Sequence, residues 1–134
     1  MCRCGEPSHL AVRLRSPSWL ASLAAEEAAG LVCRPAPGPP QVFVRECSHH
    51  VVPLRASDLV AEGLSPEELQ ARVERDLDRT GGRFRALVVA QDGRWGVAFL
   101  GPDVASLVCH PGLVAGACEA ASLGMPERVR LRVP

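Results

Sequence analysis

The chain has 134 residues, with 15 basic and 15 acidic side chains and a formal net charge of zero. This balance argues against general binding to nucleic acids or membrane surfaces, although it leaves room for a local basic patch. The length predicts one domain with a core of its own. Lysine, isoleucine, asparagine and tyrosine are all missing. A/T-rich codons encode these residues, so we infer a GC-rich gene rather than a functional preference for arginine.

The N-terminus, MCRCGEPSHL, has no apolar core of the kind found in signal peptides. No apolar run elsewhere reaches the length needed to cross a membrane. We therefore expect a cytoplasmic protein, with the six cysteines reduced or bound to metal. We predict that residues 1–8 form a flexible tail and that residues 9–134 form a single α+β domain.

The first half of the chain alternates between short strand patterns and one helix pattern. Ser16 can cap that helix, and Gly30 ends it. The proline-rich run at 35–40 predicts a stiff, extended connector. Strands are predicted at 9–15, 31–34, 41–46 and 51–55, with the turn Cys47-Ser48-His49-His50 between the last two.

The stretch 57–100 contains the clearest signals in the chain. Ser65, Pro66 and Glu68 are spaced as a helix cap with a capping box. The predicted helix ends at the pair Gly81-Gly82. Asp92-Gly93 then predicts a two-residue turn in a β-hairpin. We expect the main core to contain one helix stripe and one hairpin face, made of Leu69, Val73, Leu77, Val88, Val97 and Phe99.

After the hairpin, the sequence predicts a helix from about 101 that Pro111-Gly112 breaks or kinks, and a second helical piece over 113–123. Alternation over 127–133 predicts a closing strand with its three arginines outward. These patterns together predict an α+β fold, an antiparallel-rich mixed sheet with helices packed on one face.

The second half of the chain contains, in this order, the run DLVAEGLSPEEL, the hairpin, the run DVASLV and the closing VRLRVP. In this order, the stretch Val51–Pro134 resembles a bacterial domain family of unknown function. The chain departs from the pattern at Asp76, where the family has asparagine. The resemblance implies an α+β fold and brings no established activity or catalytic residue.

Two short clusters of cysteine and histidine suggest a metal site. Zinc is bound by four thiolate or imidazole ligands in a tetrahedron. Cys2, Cys4 and His9 could supply ligands from the start of the chain, and Cys47 with His49 or His50 could supply the others. Zinc is therefore a possible cofactor, and the alternative is a tail and a polar loop with no metal.

A second cluster, Cys109-His110 beside Ser106, invites a nucleophilic interpretation. Neighbouring residues on a helix point about 100° apart, so the thiol and the imidazole do not face each other. A buried cysteine with a helix-terminal histidine is the better interpretation. An enzyme would need a pocket that gathers His49, His50 or Cys109.

The arginines offer a third possibility, a phosphate or nucleic-acid surface. Arg128, Arg130 and Arg132 share one face of the predicted closing strand. Arg83, Arg85 and Arg94 lie on or beside the hairpin. Without catalytic motifs, the sequence favours a non-enzymatic protein-interaction or regulatory domain with an unknown protein partner. Zinc binding and phosphate binding are the alternatives.

Overall fold

The computed structural model describes residues 5–120. The strands are β1 His9–Leu14, β2 Cys33–Arg34, β3 Gln41–Glu46, β4 Val51–Pro53, β5 Arg85–Gln91 and β6 Arg94–Leu100. The α-helices are α1 Pro17–Ala21, α2 Ala25–Ala29, α3 Ala56–Glu62, α4 Pro66–Arg75, α5 Leu77–Gly81 and α6 Pro111–Ala120, and a 3-10 helix spans Val104–Cys109. The predicted α+β class is confirmed, whereas the predicted strand over 127–133 lies outside the described residues. No helix over 5–120 is long and apolar enough to span a membrane.

A four-stranded antiparallel sheet is built around β3. β1 pairs along one edge of β3, while β2 and β4 share the opposite edge, one after the other. The register sets His9 opposite Glu46 and Val12 opposite Phe43. Because side chains alternate along a strand, these two pairs lie on opposite faces of the sheet. The face of Val12 is therefore mainly apolar, with Arg45 and Gln41 toward its ends, and the other face mixes apolar and charged residues.

The main core lies on the apolar face. Leu10, Val12 and Phe43 pack there against one stripe of α4. Leu69 and Val73 form that stripe, and each is 1% exposed, which confirms their predicted place in the core. On the opposite face, the buried apolar residues are fewer: Ala11, Val42 and Val44, with Trp19 and Leu31 against them.

The helix cap predicted at Ser65 is present with its capping box. The Ser65 hydroxyl accepts from the Glu68 N–H at 3.2 Å, and the Glu68 carboxylate accepts from the Ser65 N–H at 3.4 Å. The helix ends earlier than predicted, at Arg75, because Asp76 departs from helical geometry and α5 begins after it. The predicted helix from Ser16 to Gly30 likewise divides into α1 and α2.

The hairpin has the predicted register and turn. Asp92 and Gly93 have φ values of 52° and 74°, as a type I′ turn requires. Its place in the main core was predicted wrongly. β5 and β6 form a separate two-stranded sheet, Val88 is 52% exposed, and the predicted core residues Leu77, Val97 and Phe99 are only half-buried. Alternation identifies an apolar face without saying which element covers it.

Candidate functional site

A buried ionic cluster occupies the charged face of the main sheet. Glu46 is 1% exposed and lies beside His9 across the strand pair, while Arg13 follows four residues later on the same strand face. The imidazole Nε2 of His9 lies 2.9 Å from Oε1 of Glu46. The Arg13 guanidinium donates to Oε2 through Nε at 2.9 Å and through Nη2 at 2.5 Å. The carboxylate is therefore bound from two sides.

These contacts keep Glu46 ionised. Burial by itself raises the pKa of a carboxyl group, because the interior solvates a charge poorly. Hydrogen bonds from His9 and Arg13, followed by the charges of Arg13 and Arg83, outweigh burial and hold the pKa of Glu46 below its usual value. An ionised carboxylate can only accept hydrogen bonds, so Nε2 of His9 carries the proton between the two groups.

The same cluster lies behind a cavity of about 700 Å³, whose lining includes Glu6, His9, Cys47, Ser48, Arg79 and Arg83. Arg83 follows α5, and its Nη1 donates to the carbonyl oxygen of Cys47 at 2.6 Å. Arg79 lies on α5 and is exposed, and its guanidinium group forms no hydrogen bond or ion pair within residues 5–120. The cavity is therefore lined by two arginines. Within residues 5–120 their guanidinium groups form one hydrogen bond to protein, from Arg83 to the carbonyl oxygen of Cys47.

His9 links the ionic cluster to this cavity. Its ring is 8% exposed, and its Nε2 is held by Glu46. Over the described part of the chain, no hydrogen bond is made by the other ring nitrogen, Nδ1. With the proton on Nε2, a neutral imidazole presents Nδ1 as a hydrogen-bond acceptor. The carboxylate thus fixes the tautomer of a histidine that lines a cavity.

The proposed metal ligands in the loop after β3 have other partners. The Ser48 hydroxyl donates to the Glu6 carboxylate, which also lies 3.3 Å from Nδ1 of His49. The hydrogen bond from Ser48 and then the charge of His49 hold the pKa of Glu6 below its usual value against a small opposing effect of burial. Sγ of Cys47 lies 3.9 Å from Nδ1 of His50.

Within residues 5–120, no group of three or more His, Cys, Asp or Glu side chains is placed to hold a metal ion. Cys2 and Cys4, two of the predicted ligands, lie outside this range. The zinc site therefore stays a prediction. Elemental analysis of untagged protein beside a Cys2→Ser/Cys4→Ser variant tests it, with one zinc per chain expected only in the parent protein if the site exists.

The Cys109-His110 pair is buried away from the cavity. Burial raises the pKa of the Cys109 thiol to about 11, so the thiolate needed for nucleophilic attack is disfavoured. Nε2 of His110 lies 3.4 Å from the nitrogen and 3.2 Å from the oxygen of Val12, on the outer edge of β1. These contacts fit the interpretation of the pair as structural. The cavity gathers His9 instead, which the sequence analysis considered only as a zinc ligand.

The predicted arginine surface lies partly outside the described residues. Arg83 lines the cavity, whereas Arg85 begins β5 and Arg94 begins β6. Arg128, Arg130 and Arg132 lie outside the described residues. The predicted surface of six arginines therefore stays a prediction.

The hairpin has one covered face and one open face. Ala86 and Phe99 line a small cavity of about 100 Å³ with Leu107 and Leu113, next to the 3-10 helix and α6. The opposite face, which we call the outer hairpin face, contains Arg85, Leu87, Val89, Arg94, Ala98 and Leu100. Leu87, Val89 and Leu100 on it are 39%, 43% and 51% exposed.

β5 is more exposed than β6. Every residue from Arg85 to Ala90 is exposed, whereas the residues 96–99 of β6 are half-buried. Hydrogen-bonded pairs alternate outward from the two-residue turn, so the N–H groups of Ala86, Val88 and Ala90 point away from β6. Within residues 5–120 no strand pairs with this edge.

No family model matches the chain, and neither a curated protein nor a solved structure shows significant similarity to it. Its function has to be argued from its own residues.

Proposed function

We propose that the protein is a non-enzymatic protein-interaction domain and that β5 binds an extended segment of a partner protein. The observation that supports this proposal is the exposure of β5 on both faces together with its unpaired edge over the described residues. An isolated two-stranded hairpin is marginally stable in water, so a third strand adds stability as well as specificity. Strand addition of this kind is a recurrent mode of peptide recognition.

The outer hairpin face indicates the chemistry of the partner. Arg85 and Arg94 mark its two ends, and neither forms an ion pair within residues 5–120. Between them lie Leu87, Val89 and the small residue Ala98. At 3.3 Å per residue, the two arginines are about 20 Å apart along the strand. We therefore propose a partner strand with apolar residues in its middle and an acidic residue near each end.

A proline substitution tests this proposal without destroying the hairpin. The N–H of Val88 points away from β6, so Val88→Pro removes a donor at the open edge while leaving the hairpin ladder intact. The matched variant Val89→Pro removes a donor that bonds to β6. Val88→Pro should preserve the hairpin signals in NMR spectra, and Val89→Pro should lose them.

The binding probes are two synthetic peptides of alternating valine and threonine, one with glutamate at both ends and one with lysine. Fluorescence anisotropy should show the acidic peptide binding about tenfold more tightly at low salt. Binding should vanish in Val88→Pro. Equal binding of both peptides, or unchanged binding in Val88→Pro, would contradict the proposal. A concentration-dependent dimer that Val88→Pro dissociates would identify a second copy of this chain as the occupant.

We also propose that this partner is met in the cytoplasm of a bacterium. The composition of the chain supports a GC-rich source, and its six cysteines suit a reducing compartment. Nucleic acid is a weaker candidate partner, because the two arginines of the outer hairpin face stand apart with aliphatic residues between them.

A further inference from the structure

We propose that the cavity beneath the loop after β3 binds a small phosphate monoester that carries a hydroxyl group. This site lies apart from β5, so it is independent of the interaction proposed above. It rests on three observations: two guanidinium groups, a histidine with a fixed tautomer, and a volume suited to a small metabolite.

The charges of the lining favour an anion. Arg79 forms no ion pair within residues 5–120, and Arg83 uses one N–H on the carbonyl of Cys47. Nε of Arg83 is buried without a hydrogen-bond partner among the described residues, which adds to the unsatisfied donor capacity of this guanidinium. The acidic residue of the lining, Glu6, is already bound to Ser48. A dianionic phosphate ester would match the two guanidinium charges.

The charges behind the lining do not cancel this preference. Glu46 is the nearest buried carboxylate, and it is taken up by His9 and by two nitrogen atoms of Arg13. Asp103, farther out, is held by Arg15 at 2.7 Å. Glu46 is therefore compensated chiefly by Arg13 with a smaller contribution from Arg83, and Asp103 is compensated by Arg15, whereas the guanidinium of Arg79 has no ion-pair partner within residues 5–120.

His9 indicates the second group of the ligand. Because Glu46 accepts the proton of Nε2, the neutral form of His9 offers a lone pair on Nδ1 beside the cavity. A hydroxyl group can donate to this lone pair, whereas a fully ionised phosphate cannot. A hydroxylated ester therefore satisfies both the cationic and the accepting parts of the site.

The size of the cavity argues for a ligand larger than an inorganic anion. Its volume of about 700 Å³ lies within the range of small-molecule sites, about 300–1,000 Å³. Pro7 and Pro102 lie in the lining beside the polar groups and offer apolar surface to a carbon skeleton.

Isothermal titration calorimetry with four probes separates the contributions of the phosphate and hydroxyl groups to the binding affinity. Glycerol 3-phosphate has both groups, propyl phosphate lacks the hydroxyls, glycerate replaces phosphate with carboxylate, and glycerol lacks the charge. We expect glycerol 3-phosphate to bind most tightly, propyl phosphate and glycerate several-fold more weakly, and glycerol not at all. Tightest binding of glycerate would identify a carboxylate ligand and overturn the assignment to a phosphate ester.

Arg79→Gln is the decisive variant, because this exposed side chain can be changed without disturbing the fold. The affinity for glycerol 3-phosphate should fall about tenfold, the usual effect of losing one charge-assisted hydrogen bond. Arg72→Gln, an equally exposed change on α4 that does not line the cavity, should leave the affinity unchanged. Equal losses in the two variants would show nonspecific attraction and overturn the site.

His9→Gln provides a second, independent measurement. It should remove the preference for glycerol 3-phosphate over propyl phosphate while keeping the binding of both. Long-range proton–nitrogen NMR spectra of the parent protein should show the His9 proton on Nε2 and a shift of Nδ1 on addition of glycerol 3-phosphate. No saturable binding of any probe, or an unmoved Nδ1 signal at saturation, would overturn the proposal.

Discussion

The strands β1 and β5 both lie at the edge of a sheet, but among residues 5–120 polar side chains close only the edge of β1. Three N–H groups of β1 point away from β3, and each lies against a polar side chain. The pairs are Leu10 with Asp76 at 3.1 Å, Val12 with His110 at 3.4 Å, and Leu14 with Ser106 at 3.0 Å. Side chains from the residue between α4 and α5, from the 3-10 helix and from the residue that follows this helix thus take the place of a neighbouring strand.

β5 has no such cover within residues 5–120. No strand pairs with its outer edge, and its aliphatic side chains Leu87, Val88 and Val89 remain exposed. An open, aliphatic strand edge attracts further strands, and proteins usually protect such edges. Within residues 5–120, the fold therefore protects one strand edge with polar side chains and leaves the other open.

The largest loss of stability should follow when the ionic cluster that joins β1 to β3 is disrupted. Glu46→Ala removes the partner of a buried guanidinium, because Arg13 is 2% exposed. Leaving one charge of a buried pair uncompensated costs about 3–5 kcal/mol of unfolding free energy. Denaturant titration measures it, with Glu62→Ala as control. That variant breaks the exposed pair with Arg45, which is worth about 0–1 kcal/mol. Similar losses in both variants would contradict the structural importance of the cluster.

The free energy of unfolding should also fall as the pH falls. This loss should be smaller than the loss caused by Glu46→Ala. Burial, chiefly, lowers the pKa of His110 from 6.5, so the unfolded chain binds more protons below that pH. The pKa of Glu46 lies below 4.5, so its stabilisation is present above that pH and is lost as pH falls through the lowered value. Thermal unfolding at several pH values should show one loss beginning near 6.5 and another below 4.5.

His110→Gln separates the two steps. The variant should lose the step that begins near pH 6.5 and keep the step that belongs to Glu46. If the first step persisted in this variant, another group would have to titrate there, and the role of His110 at the edge of β1 would need revision.

A smaller effect should follow when one closing contact on β1 is removed. Ser106 is 1% exposed, and its hydroxyl accepts from the N–H of Leu14. Ser106→Ala leaves that N–H without its partner, at a cost of about 1–3 kcal/mol. Hydrogen exchange of the Leu14 amide should accelerate, whereas the exposed change Ser57→Ala should alter neither stability nor exchange. Unchanged exchange at Leu14 would mean that water replaces the hydroxyl without cost.

The sequence predicts local structure well because the forces that determine it act over a few residues. The cap at Ser65, the strand β3 and the turn at Asp92 each depend on neighbours within about four positions. The closed edge of β1 depends on pairs separated by 66, 98 and 92 residues, which no local pattern reveals. The pairing of His9 with Glu46 was missed for the same reason, since the two residues lie 37 positions apart.

The misplaced core has a related cause. Val88 and Val73 each belong to a regular apolar pattern, one of period two and one near period four. Periodicity shows that a face is apolar, but burial depends on what packs against it. α4 meets the main sheet, so Val73 is buried, while Val88 extends beyond the part of the hairpin that faces the 3-10 helix and α6.

The smallest effect should therefore come from Val88→Ala. The sequence pattern predicts a loss of about 2–4 kcal/mol for a core valine. At 52% exposure, the structure predicts a change within about 0.5 kcal/mol. Leu69→Ala is the control, since truncating this fully buried leucine should cost about 2–5 kcal/mol. A loss at Val88 as large as that at Leu69 would show that β5 is covered in the folded protein, which would close the edge that the proposed partner needs.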